Sequence, residues 1–333
     1  MSKSSSLYAI YKYDFHAAAG AEEVGEKYVG NAQECFASLF DLNSIDNLVK
    51  IKNKDEAIRL PNDVLGKKDG VFVWRVNNSQ IKKLVTRSGK DDNGIDKYEE
   101  QERESNPYCN VLIDNRPGIC LMAIEKSTAW AGKPDVLRDV LLENLNRKLK
   151  DEFGLEMRIE ARMNPRDVWD FVRERIYEHG DFIRKVSFAF QNPKKINMTE
   201  DMKVKSERLK AMLKIAEISD ALKAYFTMEF DKDTNGKISE ENKDMAEMVQ
   251  LCSSNGYDIS ITFKDFKVYR VGDYVRASYQ MDSRVLQIAS DGSLTIDGEK
   301  WERLKEWLDL VDKETKEYVN ESEVPTRRNK ARK

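Results

Sequence analysis

The chain has 333 residues, of which 40% are hydrophobic and 35% are charged, with a formal net charge of only −3. This length holds two domains of ordinary size or one large one, and charges of both signs are interspersed as on a solvated surface. With so small a net charge, the overall electric field of the protein does not attract nucleic acid or membranes. Any such binding must come from local patches of charge.

The cysteine pattern and the N-terminus indicate a compartment. Cys35, Cys109, Cys120 and Cys252 are scattered and form no C-x-x-C pair, which predicts free thiols in a reducing environment. The start, "MSKSSSLYAIYKY", lacks the apolar core of a signal peptide, and no apolar run approaches the ~20 residues of a membrane-spanning helix. We therefore expect a cytoplasmic protein without membrane insertion.

The first part of the chain is rich in strand patterns. "SLYAIYKYDF" and "GVFVWRV" are aromatic and β-branched, which predicts two strands. "NVLIDN" and "GICLMAIEKS" predict a hairpin across the turn "NRPG", whereas "AQECFASLFDL" fits either a short helix or an apolar run. Charged and polar residues dominate positions 88–107, which we interpret as a long mobile loop. Residues 1–131 are thus predicted to form a β-rich N-terminal domain.

Helices and strands alternate after this point. Pro134 to Phe153 is predicted as a helix, because its apolar residues recur at helical spacing. "LEMRIEARM" and "RKVSFAF" predict strands on either side of a second helix, for which Asn164 is the expected N-cap, Pro165 the first residue and Gly180 the stop.

Two further helices are expected at 200–216 and 299–318. The predicted fold class is α+β, with a β-rich N-terminal half followed by helices packed on a mixed sheet. Residues 132–323 would form an α/β C-terminal domain, and residues 324–333 a basic disordered tail.

The stretch "DKDTNGKISEEN" resembles a calcium-binding EF-hand loop. Asp231, Asp233 and Asn235 occupy ligand positions, but the twelfth position holds Asn242 where a bidentate carboxylate is needed. The preceding "ALKAYFTMEF" alternates like a strand, so we favour a strand, a polar turn and a helix capped by Ser239. Whether the loop binds calcium is left open.

Catalytic motifs are absent from the sequence, which holds only two histidines and no nucleophile, zinc or phosphate-loop signature. Asp114 and Glu125 on neighbouring predicted strands suggest a divalent-metal nuclease as an alternative. However, Glu125 is followed directly by Lys126, and adjacent strand residues point to opposite faces. We therefore predict no catalytic residue, no metal and no cofactor.

A basic stretch is the most informative local feature. Residues 75–90 contain five basic residues and no acidic one. These are Arg75, Lys82, Lys83, Arg87 and Lys90, and Lys194 and Lys195 form a second patch. Such cations, with interleaved Asn and Gln, are suited to phosphate contacts, although a solvated face is the alternative reading.

The order of several segments resembles that of a known group. The segments are "LYAIYKY", "GVFVWRVNNSQIKKLVTRS", "YCNVLIDNRPGICLMAIEKS", "KPDVLRDVL", "LEMRIEARMNPRDVWDFV", "VSFAFQNP" and "TMEFDKDTNGKIS". Over residues 7–265 this layout resembles prophage and bacterial anti-phage proteins of the RexA-like and KwaB-like sort. The resemblance implies an α/β protein that binds DNA in phage exclusion or abortive infection, with little or no enzymatic activity, and it transfers no catalytic residue.

Three hypotheses follow. The first is a cytoplasmic defence protein that binds nucleic acid, with DNA expected, through phosphate contacts, forming a homo-oligomer and working with a second defence protein. The second is the nuclease with Asp114 and Glu125. The third is an interaction subunit that docks a partner through Trp301, Leu304 and Leu308 and binds no nucleic acid.

Overall fold

The computed structural model has the α+β fold that the sequence predicts, with a β-rich N-terminal half and helices packed against sheets. It describes residues 5–18, 31–41, 48–53, 56–78, 80–90, 95–191, 206–219, 221, 223–231, 238–255, 257–268, 271–282, 284–286 and 298–316. No helix in these ranges is long and apolar enough to cross a membrane.

The elements are numbered in chain order. The strands are β1 Ser5–Ala17, β2 Leu48–Asn53, β3 Glu56–Leu60, β4 Asn62–Lys68, β5 Val71–Asn77, β6 Gln80–Lys90, β7 Asp96–Ser105, β8 Tyr108–Asp114, β9 Leu121–Glu125, β10 Leu155–Ala161, β11 Ile183–Gln191, β12 Lys223–Glu229, β13 Ile259–Phe263, β14 Lys267–Val268 and β15 Ser278–Asp282. The helices are α1 Ala32–Asp41, α2 Pro134–Phe153, α3 Pro165–Arg173, α4 Glu207–Ile218, α5 Lys243–Asn255 and α6 Gly298–Lys316.

The first sheet has the strand order β10-β1-β9-β8-β5-β4, and β15 also pairs with β1. Strand β1 is long enough to pair with β10 through its C-terminal half and with β15 through its N-terminal half, while β9 lies on its other edge. The predicted "NRPG" hairpin is confirmed as β8 and β9, with Asp114 opposite Leu121.

Both faces of this sheet are buried. Successive residues of β1 point to opposite faces, and apolar side chains occur on both. Tyr11 and Tyr13 pack in the core beneath α1 and α2. Tyr8 and Ile10 point to the opposite face, where α6 covers them. A strand buried on both faces explains why "LYAIYKY" is apolar almost throughout rather than at every second residue.

The second sheet has the order β12-β11-β13-β14, and α3, α4 and α5 contribute to its core. Every register among the described strands of both sheets is antiparallel, so the expected mixed pairing is not found. Two parallel strands that follow each other in the chain need a crossover connection. Strands β8 and β9 are instead joined directly by the turn "NRPG" and so run antiparallel.

The packing continues across the predicted boundary at residues 131/132. Helix α2 and strand β10 lie after that boundary, yet they share the core of β1. Strand β15 and helix α6 return to the same sheet from the far end of the chain. The predicted tail, residues 324–333, falls outside the described residues.

Residues 88–107 were predicted as a loop, and this is wrong. Strands β6 and β7 form a long antiparallel hairpin, called here the ribbon, with residues 91–94 between them outside the described part. The prediction failed because Glu and Lys are poor strand formers, whereas opposite charges facing each other across a hairpin support pairing. Lys90 faces Asp96 in this way, and Asp96 also forms an ion pair with Arg87 diagonally across the strands at 2.5 Å.

Helix starts were predicted with mixed success. Asn164 caps α3, since its Oδ1 accepts a hydrogen bond from the Arg166 N–H at 3.0 Å. The cap of α5 is Asn242, whose Oδ1 accepts from the Met245 N–H at 3.2 Å, rather than the predicted Ser239. Ser239 lies three residues earlier, and its Oγ accepts from the Glu241 N–H in the preceding turn.

Candidate nucleic-acid interface

Arg75 cannot belong to an exposed phosphate-binding surface, and its assignment is corrected. It lies on β5, between β4 and β8 in the sheet, opposite Asn110. Only 7% of the residue is exposed. Its guanidinium lies 4.4 Å from the centre of the Tyr108 ring, which fits a cation held inside the fold by packing.

The remaining members of the basic stretch lie on β6, one strand of the ribbon. Within the described part of the chain, β6 and β7 pair with each other and with no third strand. Five of the ten residues of β7 are acidic. The basic residues of β6 therefore share the hairpin with the acidic residues of β7 and do not form a wholly basic surface.

The register of β6 against β7 determines which basic residues face an acidic residue and which do not. Lys83 lies opposite Glu102, so a cation and an anion face each other in the register at that position. Lys82 lies opposite Arg103, so two cations face each other at that position. The side chains of Lys82, Lys83 and Arg103 are outside the described part of the structure.

The end of β6 is exposed and partly neutralised. Arg87 keeps about half of its side chain exposed while it pairs with Asp96. Lys90, at the last position of β6, is exposed and is the residue that lies opposite Asp96. The second predicted patch, Lys194 and Lys195, lies outside the described residues.

The acidic pair of the nuclease hypothesis does not converge. Asp114 is fully buried, and its carboxylate accepts hydrogen bonds from the Arg116 guanidinium at 2.9 and 2.6 Å. Glu125 lies at the opposite end of the β8–β9 pair and accepts from Ser6 Oγ and Asn110 Nδ2, both at 2.9 Å. Both carboxylates serve the fold, and no group of three or more metal-ligating side chains occurs among the described residues.

The calcium-loop alternative is also at odds with the flanking structure. An EF-hand needs a helix on each side of its loop, whereas strand β12 leads into this one and ends at Glu229. Asn242, at the twelfth position, is already engaged as the cap of α5. Asp233 and Asn235 lie outside the described residues, and Asp231 is exposed.

The proposed docking face of the interaction-subunit hypothesis is internal. Trp301, Leu304 and Leu308 lie on one face of α6, and that face packs on the first sheet with Tyr8 and Ile10. Leu304 and Leu308 are fully buried. The amphipathic pattern of this helix therefore reflects the core of the protein itself rather than a free surface for a partner.

A group of cations that the sequence did not point to surrounds Tyr11. We call it the Tyr11 cluster: Tyr11 on β1, Lys126 after β9, Asp135 and Arg138 on α2, and Arg276 before β15. The Arg276 and Arg138 guanidinium carbons lie 5.4 and 5.9 Å from the centre of the Tyr11 ring. Its members come from four separate segments of the chain, so no local sequence motif predicts the cluster.

Comparison with family models, curated proteins and solved structures finds no match for this chain. The RexA-like and KwaB-like resemblance therefore stays a hypothesis.

Proposed function

We propose that the protein binds nucleic acid through the β6–β7 ribbon, with duplex DNA as the ligand. The observation that carries this proposal is a two-stranded antiparallel ribbon that pairs with no third described strand. A two-stranded ribbon has the width that the major groove of B-DNA admits, at about 12 Å. Ribbon readers of DNA use strands in this way.

The register supports a specific contact within the ribbon. Like charges directly opposite each other destabilise a strand pair, and Lys82 faces Arg103. A phosphate bound across this position would relieve the repulsion and gain two charged contacts. Arg87 and Lys90 would add contacts nearer the tip, although Asp96 weakens both.

The biological setting of the proposal comes from the resemblance. RexA-like and KwaB-like proteins suggest that such binding acts in phage exclusion or abortive infection. A cytoplasmic homo-oligomer that works with a second defence protein is the corresponding arrangement. Because β7 brings five acidic residues next to the basic residues of β6, we expect modest affinity and little sequence readout.

The test is binding of the full chain to a labelled DNA duplex, followed by fluorescence anisotropy at several salt concentrations with magnesium present. The same single strand and an RNA duplex serve as competitors, and the label is checked for cleavage. Each phosphate contact contributes about −0.9 to the slope of log affinity against log salt. The double variant Lys82→Glu, Arg103→Glu should therefore bind more weakly and with a slope reduced by about 2.

A matched control separates the ribbon from net charge. Lys210→Glu with Lys214→Glu changes the charge equally, on the exposed side of α4. This control should bind like the parent protein. Equal losses in both double variants would contradict the ribbon as the contact surface, and absence of binding at low salt would refute the proposal altogether.

A further inference from the structure

We propose that the Tyr11 cluster is a binding site for a small phosphate-bearing anion, such as inorganic phosphate or a terminal phosphomonoester. This site is separate from the ribbon, and the proposal does not depend on nucleic-acid binding. The fold builds the site where the first turns of α2 meet β1, the end of β9 and the segment before β15.

One carboxylate organises the cluster. Asp135 Oδ2 lies 2.6 Å from the nearest Arg276 nitrogen, and Asp135 Oδ1 lies 3.9 Å from an Arg138 nitrogen. The Tyr11 hydroxyl donates a hydrogen bond to Asp135 Oδ1 at 2.9 Å. Two guanidinium groups and the Tyr11 hydroxyl therefore meet at one carboxylate, and a small anion would compete with it for the same donors.

The cluster carries more positive than negative charge. Lys126, Arg138 and Arg276 are opposed by Asp135 and by Asp139, which pairs with the Arg138 Nε at 2.7 Å. Asp139 is largely exposed, so solvent screens its contribution. Burial and, to a smaller extent, the nearby Arg276 lower the pKa of Lys126, whereas Asp135 acts to raise it.

The chemistry of the donors selects the ligand. Guanidinium groups present flat, forked donors that match phosphate oxygens in pairs, and they bind anions more tightly than solvated lysines do. The Arg138 and Arg276 side chains are each only 12% exposed. Groups this recessed suit a small or terminal phosphate, whereas the continuous backbone of a duplex would be held away from them.

The opposing interpretation is a structural ion network in which Asp135 merely neutralises the arginines. The two interpretations predict opposite effects of Asp135→Asn. In an anion site, removal of the competing carboxylate leaves more positive charge for the ligand, so phosphate should bind more tightly. In a structural network, the same change only weakens the fold.

The experiment is calorimetric titration of the full chain with sodium phosphate at constant ionic strength, with sodium chloride as the reference. Sulfate and adenosine 5′-monophosphate are titrated in parallel, so that free phosphate and a terminal phosphomonoester are distinguished. We expect Arg276→Gln to weaken phosphate binding at least about tenfold, since a hydrogen bond to a charged group is lost. Asp135→Asn should strengthen binding by a similar factor.

The matched control is Arg284→Gln, which removes an exposed arginine that pairs with Asp282 outside the cluster. It should leave phosphate binding unchanged. The ribbon variant Lys82→Glu, Arg103→Glu should also bind phosphate normally, which keeps this test distinct from the test of nucleic-acid binding.

Three results would overturn the site. The first is that the folded parent protein binds neither phosphate, sulfate nor adenosine 5′-monophosphate. The second is unchanged or weaker phosphate binding by Asp135→Asn. The third is an equal loss of binding in Arg284→Gln and Arg276→Gln. If Arg276→Gln fails to fold, Lys126→Gln takes its place and is expected to weaken binding in the same direction.

Discussion

The contact between Arg162 and Asp312 gives the sharpest prediction about stability. Arg162 follows β10 and is fully buried, and its guanidinium donates to Asp312 Oδ1 on α6 at 2.8 Å. The backbone of Arg162 is also held, since its N–H donates to Ile10 and its carbonyl accepts from Ala277. The charged side chain therefore cannot easily move out to solvent when its carboxylate is removed.

The expected cost follows from burial. Asp312→Asn leaves the buried Arg162 without this carboxylate, and breaking a buried pair costs about 3–5 kcal/mol of unfolding free energy. Asp309 provides the comparison within the same helix, since its carboxylate pairs with Arg116 at 2.6 Å but is 56% exposed. An exposed pair contributes about 0–1 kcal/mol, so Asp309→Asn should be nearly neutral.

The assay is urea unfolding of the full chain at neutral pH, followed by far-ultraviolet circular dichroism. The double variant Arg162→Met, Asp312→Leu should recover most of the loss, because apolar replacement of a buried pair is often neutral. If Asp312→Asn were no more destabilising than Asp309→Asn, the assignment of Arg162 as a buried, pair-dependent cation would be refuted.

Three further outcomes are expected from the described contacts. Leu304→Ala should destabilise the protein by about 2–5 kcal/mol in urea unfolding, because the side chain is fully buried between α6 and the first sheet. Asn242→Ala should cost about 1 kcal/mol and Ser239→Ala clearly less, since Asn242 caps α5; equal costs would contradict this cap. Burial acts to raise the pKa of Asp181, but two backbone N–H groups and Arg175 lower it overall. The stabilisation is therefore present above the ordinary carboxyl pKa and is lost as pH falls through the lowered one, so Asp181→Asn should flatten the dependence of stability on acid pH.

Elements with strong local signals could be predicted from the sequence. The run "GVFVWRV" became β5, and "NRPG" became the turn between β8 and β9. The Asn164–Pro165 pair starts α3 at the predicted residue. In each case the structure is caused by features within a few residues of each other. These features are fixed backbone angles, a local hydrogen bond or the spacing of apolar residues.

Features that depend on distant partners could not be predicted. Residues 96–105 form a strand because they pair in register with β6, although their own composition disfavours a strand. The buried Arg162 and the Tyr11 cluster depend on contacts between segments more than a hundred residues apart. Charge composition in a local window carries no information about such pairs.

The basic stretch shows that residues close together in the sequence need not lie on one surface. Its first member, Arg75, lies inside the sheet, whereas Lys82 to Lys90 lie on the ribbon, because the chain leaves the sheet after Asn77. Conversely, Arg138 and Arg276 are far apart in the chain but share one carboxylate and one ring. We propose different ligands for the two sets, since a two-stranded ribbon fits the major groove of a duplex and recessed guanidinium groups suit a small anion. Nucleic-acid affinity and phosphate affinity should therefore respond to different substitutions, and a single variant that abolished both would argue for loss of the fold.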